Sequence, residues 1–262
     1  MKKTLWTLVM LSLSVVGCGR GVEADNAEDA DESAVVSSAE SALTAELSDE
    51  VAQPMSTTPE QMAMSAAARV GTRFKPAGCA TQTQNGATVT YTLTNCTGPY
   101  GLVKVTGVLT AVYSRATGGG VNVVITGTGV KANNATIDIN STVVATQANG
   151  VKKAVVTING SGTGPRGGTL TRSGSYTITF DTVAECLTID GTWQTGTARL
   201  GASTVVSGYK RCKGECPTAG GTIVHTSAKN EVVTLTYDGS AAAKWAVAGG
   251  RSGTVTLQCG AN

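Results

Sequence analysis

The sequence is poor in the residues that hydrolases use for proton transfer and that nucleic-acid-binding proteins use for stacking. It contains one histidine, His225, and aromatic residues make up 4% of the chain. A hydrolase needs a nucleophile and a base that a third group orients, and no such pattern surrounds His225. Binders of single-stranded nucleic acid stack bases on aromatic rings placed among basic residues, and that interleaving is missing here. We therefore expect neither an enzyme nor a nucleic-acid-binding protein.

Two short motifs match catalytic signatures but lack the required context. The segment Gly162–Gly167 satisfies G-x-G-x-x-G, yet a strand-like run from Thr169 follows it where a dinucleotide site needs a helix. Residues 207–210 match S-x-x-K, whose S-D-N and K-T-G companions do not occur in the chain. The carboxylates after residue 71 are scattered, and Cys212 and Cys216 lack further zinc ligands. No pattern predicts a cofactor, a metal site or a catalytic residue.

The first residues have the composition of an export signal. A basic start and an apolar run from Leu5 to Val16 precede Cys18, and the run is too short to cross a ~30 Å hydrocarbon core. The four residues that end at Cys18 resemble the lipobox of bacterial lipoproteins. That resemblance implies removal of residues 1–17 as a signal peptide and lipidation of Cys18, including an N-acyl chain such as palmitate. By analogy with lipoprotein sorting, Gly19 implies the outer membrane.

Charge divides the rest of the chain. Between Gly19 and Glu60, eleven acidic residues oppose one arginine, whereas from Gln61 onward seventeen Lys and Arg oppose seven Asp and Glu. The acidic, Ala/Ser-rich part cannot bury enough apolar surface to offset its ordering entropy. We interpret residues 18–70 as the lipidated cysteine and a largely disordered acidic tether with transient helix. Its sharpest helix start is Thr58–Gln61, which predicts an N-cap, a proline in the first turn and a capping box.

From residue 71 the pattern changes to a period of two. Runs such as Thr88–Thr94 alternate apolar and polar residues, and hairpin dipeptides such as Asn149-Gly150 separate them. We predict that residues 71–262 form an all-β domain, an antiparallel sandwich or open barrel of about 10–12 strands with predominantly hairpin connections. Asp190-Gly191 fits either a hairpin turn or a bulge within a strand.

Six cysteines follow Cys18, and an even number in an exported protein predicts disulfides. A hairpin of residues 187–195 and 203–211 would place Cys186 opposite Cys212, and a four-strand meander from Thr222 to Leu257 would return the chain to its starting edge. The first hairpin lies between two further cysteines. The predicted pairs are Cys79–Cys96, Cys186–Cys212 and Cys216–Cys259, and the competing pattern is a local Cys212–Cys216 loop.

Two cysteine-containing stretches carry a family resemblance. Residues 96–101 (Cys-Thr-Gly-Pro-Tyr-Gly) and the segment from Cys216-Pro217 through Gly221 to Cys259 are similar to β-rich predicted lipoproteins of myxobacterial type. The resemblance implies an exported, disulfide-bonded β domain. It implies no activity, because the shared features are turns and cysteines.

The remaining functional signal is basic charge. Candidate anion-binding residues lie beside turns and cysteines along the β region: Lys152, Lys153, Arg166, Arg172, Lys210, Arg211 and Lys213. A basic domain would attract an anionic polysaccharide or lipopolysaccharide in a salt-dependent way, unless the acidic tether folds back and neutralises it.

These observations favour a lipid-anchored, non-catalytic β module of the cell envelope, surface-exposed or adhesin-like, that binds or organises an anionic polymer or a protein partner. The alternative is a periplasmic assembly or lipid-handling factor that holds acyl chains on a concave apolar face. A second alternative is an enzyme that acts on envelope polysaccharide, for which carboxylates would have to meet in a cleft.

Overall fold

The computed structural model describes residues 58–97, 104–117, 119–132, 135–164, 167–181, 183–196, 201–212, 215–227 and 229–257. The predicted signal peptide, Cys18 and the acidic tether before residue 58 lie outside these ranges. Over the ranges given, no helix is both long and apolar enough to cross a membrane.

The thirteen strands form one open antiparallel sheet in which each strand pairs with its neighbours in the chain. Their bounds are β1 Ala80–Asn85, β2 Thr88–Thr97, β3 Lys104–Arg115, β4 Val121–Ala132, β5 Ala135–Ala148, β6 Val151–Thr163, β7 Thr169–Asp181, β8 Cys186–Gly196, β9 Gly201–Cys212, β10 Thr222–Thr226, β11 Val232–Tyr237, β12 Ala242–Val247 and β13 Ser252–Thr256. The predicted all-β, antiparallel, hairpin-connected architecture is confirmed. The sheet has thirteen strands, one more than the upper end of the predicted range of about 10–12.

One helix, α1 (Pro59–Arg73), precedes the sheet and begins as the sequence predicts. The Thr58 side chain accepts a hydrogen bond from the Gln61 backbone N–H, and the Gln61 side chain accepts one from the Thr58 backbone N–H, each at 3.2 Å. Two orphan donors of the first turn are thereby satisfied. The helix packs against β1, β2 and β3 through its small residues, and Ala63, Ala66 and Val70 are buried there.

This packing changes the role of residues 58–70, which the sequence predicts to be part of the tether. The alanine-rich face of α1 lets the helix approach the sheet closely, so the helix belongs to the folded unit and is more than transient. A boundary at residue 71 would cut through it.

The face of the sheet that α1 covers is called the inner face here, and strand alternation sets its composition. Along β5 every second residue from Ala135 to Ala145 is buried, whereas the residues between them are exposed or half-buried. One cross-strand row runs Val89, Ala111, Ile125, Ser141, Ile158 and continues to Gly174, Trp193, Thr204, His225 and Val233. The inner face is therefore continuous from β2 to β11.

Two aspartates accept backbone hydrogen bonds at the positions where the pairing register of neighbouring strands shifts. Asp138 accepts a hydrogen bond from the Gly129 backbone N–H at 2.7 Å, where the β4–β5 register shifts. Asp190 accepts one from the Gly208 backbone N–H at 2.6 Å, where the β8–β9 register shifts. Asp190-Gly191 thus lies inside β8, opposite a bulge at Ser207 and Gly208 of β9. Asn149-Gly150 forms the hairpin turn between β5 and β6.

Candidate functional site

The sheet brings four of the seven candidate anion-binding residues to one end of strands β6–β9. Lys153 pairs with Thr179, which pairs with Thr188, which pairs with Lys210. On the inner face, the adjacent row runs Lys152, Phe180, Leu187, Arg211. Three strand spacings, about 14 Å, separate the first and last residue of each row. We call Lys152, Lys153, Lys210 and Arg211 the basic end.

The other three candidates do not join this group. Arg172 is 2% exposed, and its guanidinium lies 5.5 Å from the ring centroid of Trp193. Its prediction as a surface anion-binding residue is therefore wrong, because alternation on β7 turns its side chain inward. Arg166 and Lys213 lie outside the described residues.

Carboxylates accompany the basic end, so its charge is mixed. Asp181 lies at the end of β7, and its carboxylate accepts hydrogen bonds from the Val183 and Ala184 backbone N–H groups at 2.9 Å each. These bonds, together with the nearby Lys210 charge, lower the pKa of Asp181. The Nε of Arg211 donates to the backbone carbonyl of Glu215 at 3.1 Å. Lys153 and Lys210 are exposed, so they are the members of the basic end open to a ligand.

Aromatic side chains gather on the inner face beside the basic end, although the chain as a whole has few. Six of the nine described aromatic residues lie there, on β7, β8, β9, β11 and β12; we call them the aromatic face: Tyr176, Phe180, Trp193, Tyr209, Tyr237 and Trp245. Five are half-buried, and only Tyr237 is fully buried. This is an incompletely covered aromatic surface, whereas the inner face of the preceding strands is closed.

Two edge-to-face pairs order these rings. The centroids of Tyr176 and Trp193 are 6.3 Å apart, and those of Tyr209 and Tyr237 are 5.2 Å apart. Arg172 lies over Trp193, and Arg211 donates a hydrogen bond to Tyr209. Each ring pair therefore has an arginine beside it. Burial raises the pKa of both Tyr209 and Tyr237, so their hydroxyls stay neutral.

Glycines on neighbouring strands leave space for the rings. Gly174 is opposite Trp193 and Gly253 is opposite Trp245 in the register. A Cβ at Gly174 would lie 2.5 Å from the Trp193 Cα, and one at Gly253 would lie 2.9 Å from the Trp245 ring. Any larger residue would displace these tryptophans.

The lone histidine borders this surface. His225 lies on β10 next to Thr204 in the row that contains Trp193, and its Nδ1 is 3.1 Å from the Thr204 Oγ1. Partial burial lowers the pKa of His225. In a catalytic triad, a carboxylate orients the histidine and stabilises its protonated form. The neutral hydroxyl of Thr204 does not stabilise the protonated ring in this way, so this contact is not a catalytic dyad.

The four aspartates of the β region serve turns and bulges. Besides Asp138, Asp181 and Asp190, Asp238 accepts hydrogen bonds from the backbone N–H and hydroxyl of Ser240 at 3.1 and 2.6 Å. In the described ranges, no group of three His, Cys, Asp or Glu residues could hold a metal ion. The G-x-G-x-x-G segment begins within β6, and the next described element after it is the strand β7, not a helix.

Two of the predicted disulfides are present. Cys79 bonds to Cys96, and Cys186 bonds to Cys212, which is its direct partner in the β8–β9 register. The competing Cys212–Cys216 loop is thereby excluded. Cys216 is also disulfide-bonded, but Cys259 lies outside the described residues, so the Cys216–Cys259 pair stays a prediction.

The chain matches no protein-family model, no curated protein and no solved structure.

Proposed function

We propose that this chain is a lipid-anchored, non-catalytic module of the cell envelope that binds an anionic polymer. The single observation that carries the proposal is the basic end, where strand register unites lysines from two separate hairpins. Exposed cations held on a rigid sheet attract a polyanion without ordering a loop. The lipobox at Cys18 adds the anchor, and with Gly19 it supports an outer-membrane position.

Removing the two exposed lysines tests the binding. We expect Lys153→Gln/Lys210→Gln to weaken binding to polygalacturonate and polyphosphate several-fold at low salt, with the difference shrinking as salt screens the charges. The matched control is Lys131→Gln/Lys229→Gln, which removes the same charge from exposed positions outside the basic end. If both variants lose the same amount of affinity, the effect comes from net charge alone, and a defined binding site is contradicted. Undetectable polyanion binding by the parent chain would end the proposal.

The anchor is tested separately with Cys18→Ser. In a Gram-negative host we expect the parent to incorporate labelled palmitate and to fractionate with the outer membrane. The variant should lose the label and leave the membrane fraction. A labelled, membrane-bound Cys18→Ser variant would contradict the lipobox assignment.

The half-exposed inner face favours one second candidate, a lipid-handling factor. Aliphatic residues occupy alternate positions of the later strands there, including Leu187, Ile189, Ile223 and Val233. If the chain is a lipid-handling factor, solvent extraction of the purified membrane form should release bound acyl lipid. If it is a polymer-binding module, the extraction should release none. Protease digestion of intact cells separates them further, because a lipid-handling factor would be protected in the periplasm.

A further inference from the structure

The aromatic face is the largest feature of the molecule that charge alone does not explain. Six rings from five strands share one face, and Trp193, Tyr209 and Trp245 each keep part of their surface exposed. Tryptophan, tyrosine and arginine are the residues in which binding energy concentrates at protein surfaces. A partly uncovered cluster of these residues on a rigid sheet is the composition of a binding surface.

We propose that the aromatic face binds the sugar rings of an acidic polysaccharide, a site that rests on the proposed function and names its ligand class. The negative π-face of an aromatic ring attracts the slightly positive C–H groups on the face of a sugar. Edge-to-face pairing with the buried Tyr237 holds the half-buried Tyr209 ring in a fixed orientation, so little rotamer entropy is lost when a ligand stacks on Tyr209.

Charge on this face specifies an acidic polysaccharide over a neutral one. Over the described residues of β7–β13, the inner face carries Arg172 and Arg211 and no carboxylate. Arg211 is half-buried and contacts Tyr209, so it lies where the aromatic face meets the basic end. A guanidinium there can pair with the carboxylate of a uronic acid whose ring stacks on the adjacent tyrosine.

The same observations disfavour other occupants. Stacking of two copies of this face would bury the Arg211 of each copy against a surface that offers no carboxylate to pair with it, which costs free energy. An acyl chain would gain nothing from the hydroxyl of Thr204, which pairs with Trp193, or from the imidazole of His225 beside Thr204. Sugar hydroxyls can hydrogen-bond to both.

Tryptophan fluorescence tests the site directly. The chain contains only Trp6, Trp193 and Trp245, so in a full-length Trp6→Phe background every tryptophan lies on the aromatic face. The probes are polygalacturonate, its fully methyl-esterified form, which keeps the sugar and removes the charge, and polyphosphate, which keeps the charge and removes the sugar. We expect polygalacturonate to change the emission and to bind more tightly than either control polymer.

Substitution of the rings then separates stacking from charge attraction. Trp193→Leu and Trp245→Leu, each made alone, should lower the affinity for polygalacturonate about tenfold and leave polyphosphate binding unchanged. Arg211→Gln should weaken binding more than Arg211→Lys, which keeps the charge without the bidentate fork. Tyr113→Leu removes an aromatic residue from the same inner face on β3, where it is 8% exposed, and serves as the control. Circular dichroism and melting curves confirm that each variant is folded.

Three results would overturn the inference, and they are distinguishable. Unchanged polygalacturonate affinity in both tryptophan variants would refute the aromatic site and leave the anionic-polymer function standing. Tighter binding to oligo(dT) than to polygalacturonate would replace the polysaccharide with single-stranded nucleic acid. Absence of binding to all polyanions would refute the proposed function itself.

Discussion

The two halves of the sheet use the same backbone pattern but cover their inner face differently. In the first half, α1 with β1–β7, one continuous core runs from Ala63 to Leu170, and Ile137, Ile158 and Leu170 are at most 1% exposed. In the second half, β8–β13, the buried cluster contains only Leu235, Tyr237 and Ala243, with half-buried residues around it. A helix and long strands close the first half, and no described helix packs on the second.

Strand length explains the difference for β10–β13, whereas β8 and β9, with 11 and 12 residues, are long strands on which no described helix packs. Strands β2–β7 have 10 to 14 residues, whereas β10–β13 have 5 or 6. A strand of 5 or 6 residues places only two or three side chains on the inner face. Aliphatic side chains at so few positions cannot form a fully buried core. Large rings bury more area per residue than aliphatic side chains do. The comparison teaches that a polar, glycine-rich meander can be stabilised by few, large side chains that remain partly exposed.

The largest expected effect contrasts one isoleucine from each half. Ile137→Ala should lower the free energy of unfolding by about 2–5 kcal/mol, because the side chain is 0% exposed and leaves a cavity. Ile189→Ala on half-buried β8 should cost less than about 2 kcal/mol. Urea denaturation of both variants gives the two values. Equal losses would show that the halves are packed alike.

Loss of a disulfide should distinguish the halves next. Removing either Cys79–Cys96 or Cys186–Cys212 by double alanine substitution should cost about 2–4 kcal/mol. Because β8–β13 has fewer buried contacts, loss of Cys186–Cys212 should also raise hydrogen exchange in β8 and β9, while β2–β6 stay protected. Exchange that rises evenly across the sheet would contradict this regional reading.

A smaller effect is expected from crowding the aromatic face. Gly174→Ala should destabilise by about 1–3 kcal/mol and shift the emission of Trp193, because the new Cβ meets the Trp193 backbone. Gly201→Ala on β9 is the control, since its Cβ meets nothing within 4 Å and its backbone is unstrained. The melting temperature and the tryptophan emission of the two variants test this expectation. An unperturbed Gly174→Ala would show that the strands there can separate freely.

The smallest expected effect is a pH dependence from His225. Its folded pKa lies below the ordinary value of 6.5, because partial burial disfavours the charged ring. As pH falls below 6.5 the unfolded chain takes up the proton first, so stability should decrease until the folded ring also protonates. His225→Gln should remove this slope between pH 7 and 5 in thermal melts. A slope that survives the substitution would exclude His225, the only histidine in the chain.

Local signals predicted several parts of the structure correctly. The capping box at Thr58, the hairpin turn at Asn149-Gly150 and the opposition of Cys186 to Cys212 each depend on residues near in sequence or on counting from one turn. The burial of α1 could not be predicted in this way, because its alanine-rich face becomes a core only when β1–β3 lie beneath it. The burial of Arg172 could not be predicted either, since charge alone does not say which face of β7 is covered.

The aromatic face was also missed, although a signal existed. Tyr176, Phe180 and Trp193 occupy positions whose face follows from period-two counting along β7 and β8. The low overall aromatic content does not show that the few aromatic residues lie on one face of neighbouring strands.

Composition and period by themselves determined the strands, the turns and the pairing of neighbours, because side-chain alternation and turn chemistry act within one hairpin. Only the tertiary structure decided which face is covered, which half stays open and which distant residues meet. Those outcomes depend on register accumulated over many strands and on where the helix packs. Lys153 reaches the row of Lys210, and Trp193 reaches the row of His225, because the strands pair directly at each of these positions, on either side of the register shift between β8 and β9.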